Sequence, residues 1–108
     1  MKIRLYLAGP MSGIEGLNIP AFKDAANALR KSGFEVLSPH EIEEPGSWLQ
    51  AMAADFNALS DFDPHGVAFL PGWDKSPGAR IERIAAERHN WITGPVESWL
   101  FMPRRGES

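Results

Sequence analysis

Three acidic side chains and one tyrosine stand where they could work on a polar substrate. Glu82 follows Gly78 by four residues, in the opening turns of a helix-forming stretch. There the positive helix end would keep a carboxylate ionised, as a carboxylate nucleophile requires. The spacing sets Glu82 on the flank of a stripe made by Ile81, Ile84 and Ala85, which equally suits an ordinary glutamate on a solvated face. Asp55 falls inside an apolar arc of Trp48, Leu49, Met52, Phe56 and Leu59, about 20° from Trp48 at roughly 100° per residue, while Asp61 points the opposite way, toward water. A carboxylate in such an arc is costly unless partnered, so it serves either chemistry or the capping of a neighbouring loop. Asp74 is a loop acid. Together these acids could perform nucleophilic and acid/base work at a glycosidic carbon, where two carboxyl groups flank the bond being broken. Tyr6 is expected on the polar face of the first strand near its carboxyl end, its hydroxyl within reach of Glu82 or a substrate, or else as a plain edge or core tyrosine.

Two loops would carry these groups. Gly9-Pro10-Met11-Ser12-Gly13 ends the first strand and offers backbone N–H groups and the Ser12 hydroxyl to an anionic or hydroxylated ligand; a mere turn would read the same way. It matches neither G-x-G-x-x-G nor the P-loop pattern. The second loop, Pro71 to Gly78, contains Trp73, which could stack on a base, together with Asp74 and Ser76.

The elements that must position the loops follow from hydrophobic spacing. Residues 2–8 alternate as a strand, with Ile3, Leu5 and Leu7 on one face. Residues 20–32 form a helix with Phe22, Ala25, Ala26 and Leu29 as its stripe and Gly33 as its stop. Phe34 to Leu37 gives a short strand, 40–46 an acidic loop, and Ser47 caps a helix reaching about Leu59. Gly66 to Leu70 is a strand covered on both faces, 79–91 a third helix, and Val96 to Phe101 a last strand. This order predicts an α/β, three-layer, flavodoxin-like (Rossmann-like) parallel sheet of about four strands with helices on both faces. The loops after the first and third strands and the start of the third helix then meet at one sheet edge.

Composition bounds the rest. The 108 residues, 44% hydrophobic and 23% charged, fit one domain over 1–102 with a flexible tail at 103–108. A net charge of −3 argues against binding a nucleic-acid polymer, though not against a nucleotide monomer. Cysteine is absent, so disulfides and thiolate metal sites are excluded. His40, His65 and His89 lack ligand spacing, and neither a metal nor an organic cofactor is expected. With no apolar run approaching a membrane span, the expected location is cytoplasmic and off the membrane.

Taken in order, Tyr6-Leu7-Ala8-Gly9-Pro10-Met11-Ser12-Gly13, Ala54-Asp55-Phe56-Asn57-Ala58-Leu59, Ala68-Phe69-Leu70-Pro71-Gly72-Trp73 and Ser76-Pro77-Gly78-Ala79-Arg80-Ile81-Glu82 resemble the nucleoside 2-deoxyribosyltransferase superfamily. The closer likeness is to its small phage and prophage branch, a domain of unknown function, over about residues 2–92. The resemblance implies a flavodoxin-like sheet and cleavage or exchange of the N-glycosidic bond of (deoxy)nucleosides or their 5′-monophosphates. It implies that Glu82 is the nucleophile, Tyr6 its support, and Asp55, or Asp74 in its place, the group that assists proton transfer to the departing base. Gly9, Pro10, Met11, Ser12, Gly13, Trp73, Ser76 and Gly78 would contact substrate. Deoxyribosyltransferases carry an aspartate six residues before the glutamate; Ser76 stands there, as in the nucleotide-hydrolysing branch, where it helps to bind the 5′-phosphate. That favours a monophosphate N-glycosidase over a transferase. A homo-oligomer is expected. Two other readings stay open: a nucleotide-binding domain without turnover, and a phage interaction protein using Trp99, Phe101 and Met102 as an exposed surface.

Overall fold

The alternating run Leu5-Tyr6-Leu7-Ala8 becomes a central strand buried on both faces. A computed structural model of the chain describes residues 2–10, 15–41 and 57–101. In it, β1 spans Arg4–Ala8, α1 Ile19–Lys31, β2 Glu35–Leu37, β3 Gly66–Phe69, α3 Pro77–Arg88, β4 Ile92–Pro95 and α4 Val96–Leu100. Residues 57–62 are also helical and are designated α2. The strands form one all-parallel sheet in the order β2-β1-β3-β4. The α/β architecture expected from the sequence is therefore present.

Alternation along the strands divides the core in two. Leu5, Leu7 and Ala68 face α1 and α4, where Phe22, Ala26, Leu29, Val96 and Trp99 cover them. Tyr6, Ala8, Val67 and Phe69 face the other way, against Leu59 and Ala86. Each fully buried leucine or phenylalanine contributes about 1.5–3 kcal/mol relative to exposure. Helix α1 starts on Pro20 in its first turn and ends with Arg30 and Lys31 against its negative end. Gly33 then adopts φ 95°, which lets the Phe34 N–H reach back to Leu29 O at 3.1 Å.

Two expectations, and the surface role that one alternative reading gives Trp99, are corrected. The segment expected as a last strand, Val96 to Phe101, is helix α4, and the fourth strand is the preceding Ile92–Pro95. Val96, Trp99 and Leu100 are spaced for a helix, and Pro95 stands at its N-cap. Trp99 is 3% exposed, packs edge-on to Phe34 and donates its Nε1–H to Val67 O at 3.2 Å, so it is core and not a surface anchor. Helix α3 starts two residues earlier than expected and stops at Arg88. Its inner face is Ala79, Glu82 and Ala86, whereas Ile81 and Ile84 are exposed. The small alanines let the helix lie close to the sheet, which turns the bulkier isoleucines outward. No helix among the described residues is long and apolar enough to cross a membrane.

Candidate functional site

In the order β2-β1-β3-β4, chain direction across the sheet reverses between β1 and β3, and the crevice outside their carboxyl ends is the usual ligand position in such folds. Here the two strand exits touch. The Leu70 N–H donates to Ala8 O at 2.8 Å, and a Cβ on Gly9 would lie 2.7 Å from Leu70 Cβ, so only glycine permits this approach. Gly72, at φ 86°, turns the second loop into the short 3₁₀ helix Trp73–Lys75. Ser76 then caps α3, its Oγ accepting from the Ala79 N–H at 3.4 Å.

Between the loops lies a cleft of about 400 Å³ lined by Pro10, Asn18, Pro71, Gly72, Lys75, Ser76 and Pro77. That size suits a small molecule. Asn18, left-handed at φ 60°, donates its side-chain N–H to Pro10 O at 2.9 Å and ties the entry of α1 to the exit of β1. The ammonium of Lys75 and the N-terminal end of α3 make this wall electropositive.

Glu82 and Tyr6 meet one level deeper. The Tyr6 hydroxyl donates a hydrogen bond to Glu82 Oε2 in the interior between β1 and α3. Tyr6 is fully buried and Glu82 is 5% exposed, so Tyr6 does not lie on a polar face and Glu82 does not lie on the flank of its helix. Glu82 is the sixth residue of α3, beyond the first turn where the helix end acts most strongly, and its described partner is the tyrosine. A phenol hydrogen bond to a carboxylate is charge-assisted and fixes the carboxylate's orientation.

The remaining expected residues are distributed as follows. Gly9, Pro10, Ser76 and Gly78 stand at the sheet edge, Pro10 and Ser76 in the cleft wall. Trp73 is half-buried, its ring on Phe69 with centroids 4.5 Å apart, and does not line the cleft. Asp74 is exposed in the 3₁₀ turn. Met11, Ser12, Gly13 and Asp55 lie outside the described residues.

Sequence reasoning missed Lys75 and Asn18, both cleft-lining. It also missed Ser38, fully buried at the carboxyl end of β2, whose Oγ shares a hydrogen bond of 2.5 Å with His40 Nδ1. Ser38 and Glu82 are the two buried polar or charged side chains among the described residues. The available signal was positional, since Ser38 directly follows a strand and Lys75 directly precedes a helix cap.

No curated protein and no solved structure matches this chain. A family match covers residues 3–92, from the residue before β1 through Glu82 to the start of β4. The chain that brings Tyr6 to Glu82 beside the β1–β3 crevice therefore belongs to the family described as Domain of unknown function (DUF4406).

Proposed function

We propose that the protein cleaves the N-glycosidic bond of (deoxy)nucleoside 5′-monophosphates, with Glu82 as nucleophile, as the likeness to nucleoside 2-deoxyribosyltransferases implies. The observation that carries this reading is the buried hydrogen bond from Tyr6 to the Glu82 carboxylate beneath the crevice at the sheet's carboxyl edge. A buried acid oriented by a tyrosine, on the helix and strand whose ends border a small-molecule cleft, suits a positioned carboxylate nucleophile.

The spacing along α3 supports a phosphorylated substrate. Ser76 caps the helix and Glu82 follows six residues later, about 9 Å along the axis. A nucleoside monophosphate likewise separates its phosphate from its anomeric carbon by several ångströms. With the phosphate against Lys75 and Ser76, the sugar would extend toward Glu82. A carboxylate oxygen of Glu82 then bonds to C1′ as the C1′–N bond breaks, and the electron pair leaves on the base nitrogen, which takes up a proton from an acid or water. Water attacks C1′ in the second step, loses its proton and frees the carboxylate. Transfer to a second base instead of water is the alternative outcome of the same intermediate. Asp55 or Asp74 is the proposed proton donor, and Ser12 and Gly13 the proposed phosphate or hydroxyl contacts.

The test is incubation with a panel of nucleosides and their 5′-monophosphates, with chromatographic detection of free base. Release from monophosphates in preference to nucleosides, weakened by Lys75→Ala, is expected. Ligand protection against thermal unfolding with no base release would instead favour a binding domain without turnover.

A further inference from the structure

We infer that Arg83 is a positioning residue of the cleft, holding Trp73 on Phe69 and thereby fixing the wall to which Lys75 and Ser76 belong; this rests on the nucleotide reading above. The Arg83 guanidinium carbon lies 5.2 Å from the Trp73 ring centroid and 6.0 Å from that of Phe69. Both distances fall within the range of a cation held by an aromatic face. The two rings are themselves in contact at 4.5 Å, so cation, indole and phenyl form one cluster. From the outer side, Glu87 Oε1 accepts from Arg83 Nε at 2.9 Å, which aims the guanidinium.

The cluster joins three elements. Phe69 is the last residue of β3, Trp73 the first of the 3₁₀ turn, and Arg83 follows Glu82 on α3. The Ser76 N–H closes that turn on Trp73 O at 3.0 Å, and Ser76 Oγ caps α3. Trp73 is therefore the anchor of the cleft wall, and Arg83 is what holds the anchor. Arg83 is not among the residues that line the cleft, so it acts through the loop, on ligand affinity more than on bond cleavage.

The experiment compares wild type with Arg83→Met, which keeps the aliphatic stem without the cation, Arg83→Lys, which keeps the charge without the plane, and Glu87→Gln. Base release from deoxynucleoside 5′-monophosphates is measured together with the NMR signals of the Trp73 indole, assigned through Trp73→Phe, and the Ser76 amide. Arg83→Met should raise KM by about threefold or more with kcat within about twofold, with smaller shifts in the same direction for the other two. The Trp73 and Ser76 signals should move in parallel. A fall in kcat at constant KM, or unmoved signals in Arg83→Met, would overturn the inference. Absence of base release and of nucleotide binding by wild type overturns the nucleotide reading and the ligand half of this inference, while the NMR signals still decide whether Arg83 holds the loop.

Discussion

The Tyr6 hydroxyl hydrogen-bonds the Glu82 carboxylate across 76 residues of sequence, joining the central strand β1 to helix α3 inside the apolar cluster of the sheet's second face. One contact thus serves two ends. It satisfies polar groups whose burial would otherwise be costly, and it fixes the acid beneath the β1–β3 crevice.

Tyr6→Phe removes the donor and leaves the buried carboxylate short of one hydrogen bond. The variant should lose about 1–3 kcal/mol of stability, seen as a lower urea midpoint at unchanged slope, and any base-releasing activity should fall with it. A midpoint equal to wild type would contradict a stabilising role for the contact.

Two glycine substitutions separate the site from the scaffold. A Cβ at Gly66 would meet the Trp99 ring at 2.6 Å and Ile92 O at 2.7 Å, far from the crevice. Gly66→Ala should cost about 1–3 kcal/mol in denaturant titration through overpacking. Gly9→Ala forces Leu70 away and parts the two strand exits at the crevice. It should weaken nucleotide binding, measured by calorimetry, more than Gly66→Ala does, although the Cβ at Gly66 is the more crowded of the two.

Glu41 is a test of pH dependence away from the site. Arg30 donates to both its carboxylate oxygens, at 2.8 and 2.6 Å, and this hydrogen bonding, opposed by burial and aided by the opposite charge, holds the Glu41 carboxyl below its ordinary range. A depressed folded-state value contributes stability above the unfolded value of about 4.3, and the contribution is lost as pH falls through the folded value. Both side chains are more than one-third exposed, so solvent screening limits the contribution to under about 1 kcal/mol. The stability gap between wild type and Glu41→Gln should be largest above about pH 5 and shrink toward pH 3 in urea titrations. A gap that widens on acidification would contradict the assignment.

Self-association is proposed through the outer face of α3, where Ile81 and Ile84 are 39% and 54% exposed. Sedimentation equilibrium should find wild type above the 11.9 kDa monomer mass and Ile84→Lys closer to it. Equal masses for both proteins would place any interface elsewhere.

Much of the sheet was legible because Leu5, Leu7, Phe22 and Leu29 repeat at strand and helix periods that burial on one face demands. The inner face of α3 was not, because Ile81 and Ile84 are its most hydrophobic residues. Close packing on the sheet selected the small Ala79 and Ala86 instead. The helix at Val96 was hidden because a short apolar run fits either period, and only Pro95 at its N-cap decides between them. Spacing allows Tyr6 and Glu82 either a shared catalytic role or ordinary structural ones, and only the family resemblance favours the first. Lys75 and Asn18 were invisible because the cleft they line exists only once the exits of β1 and β3 are side by side.

The carboxylate held by Tyr6 is proposed to perform bond cleavage, and Glu82→Gln keeps its shape while removing its charge. Free base released from a deoxynucleoside 5′-monophosphate should be measured for wild type and the variant at equal, high enzyme concentration, after thermal unfolding has established that both are folded. Wild type should release base, and the variant should lose about a thousandfold or more of that rate, as expected when a nucleophile is removed. Release by Glu82→Gln at the wild-type rate would contradict the proposal.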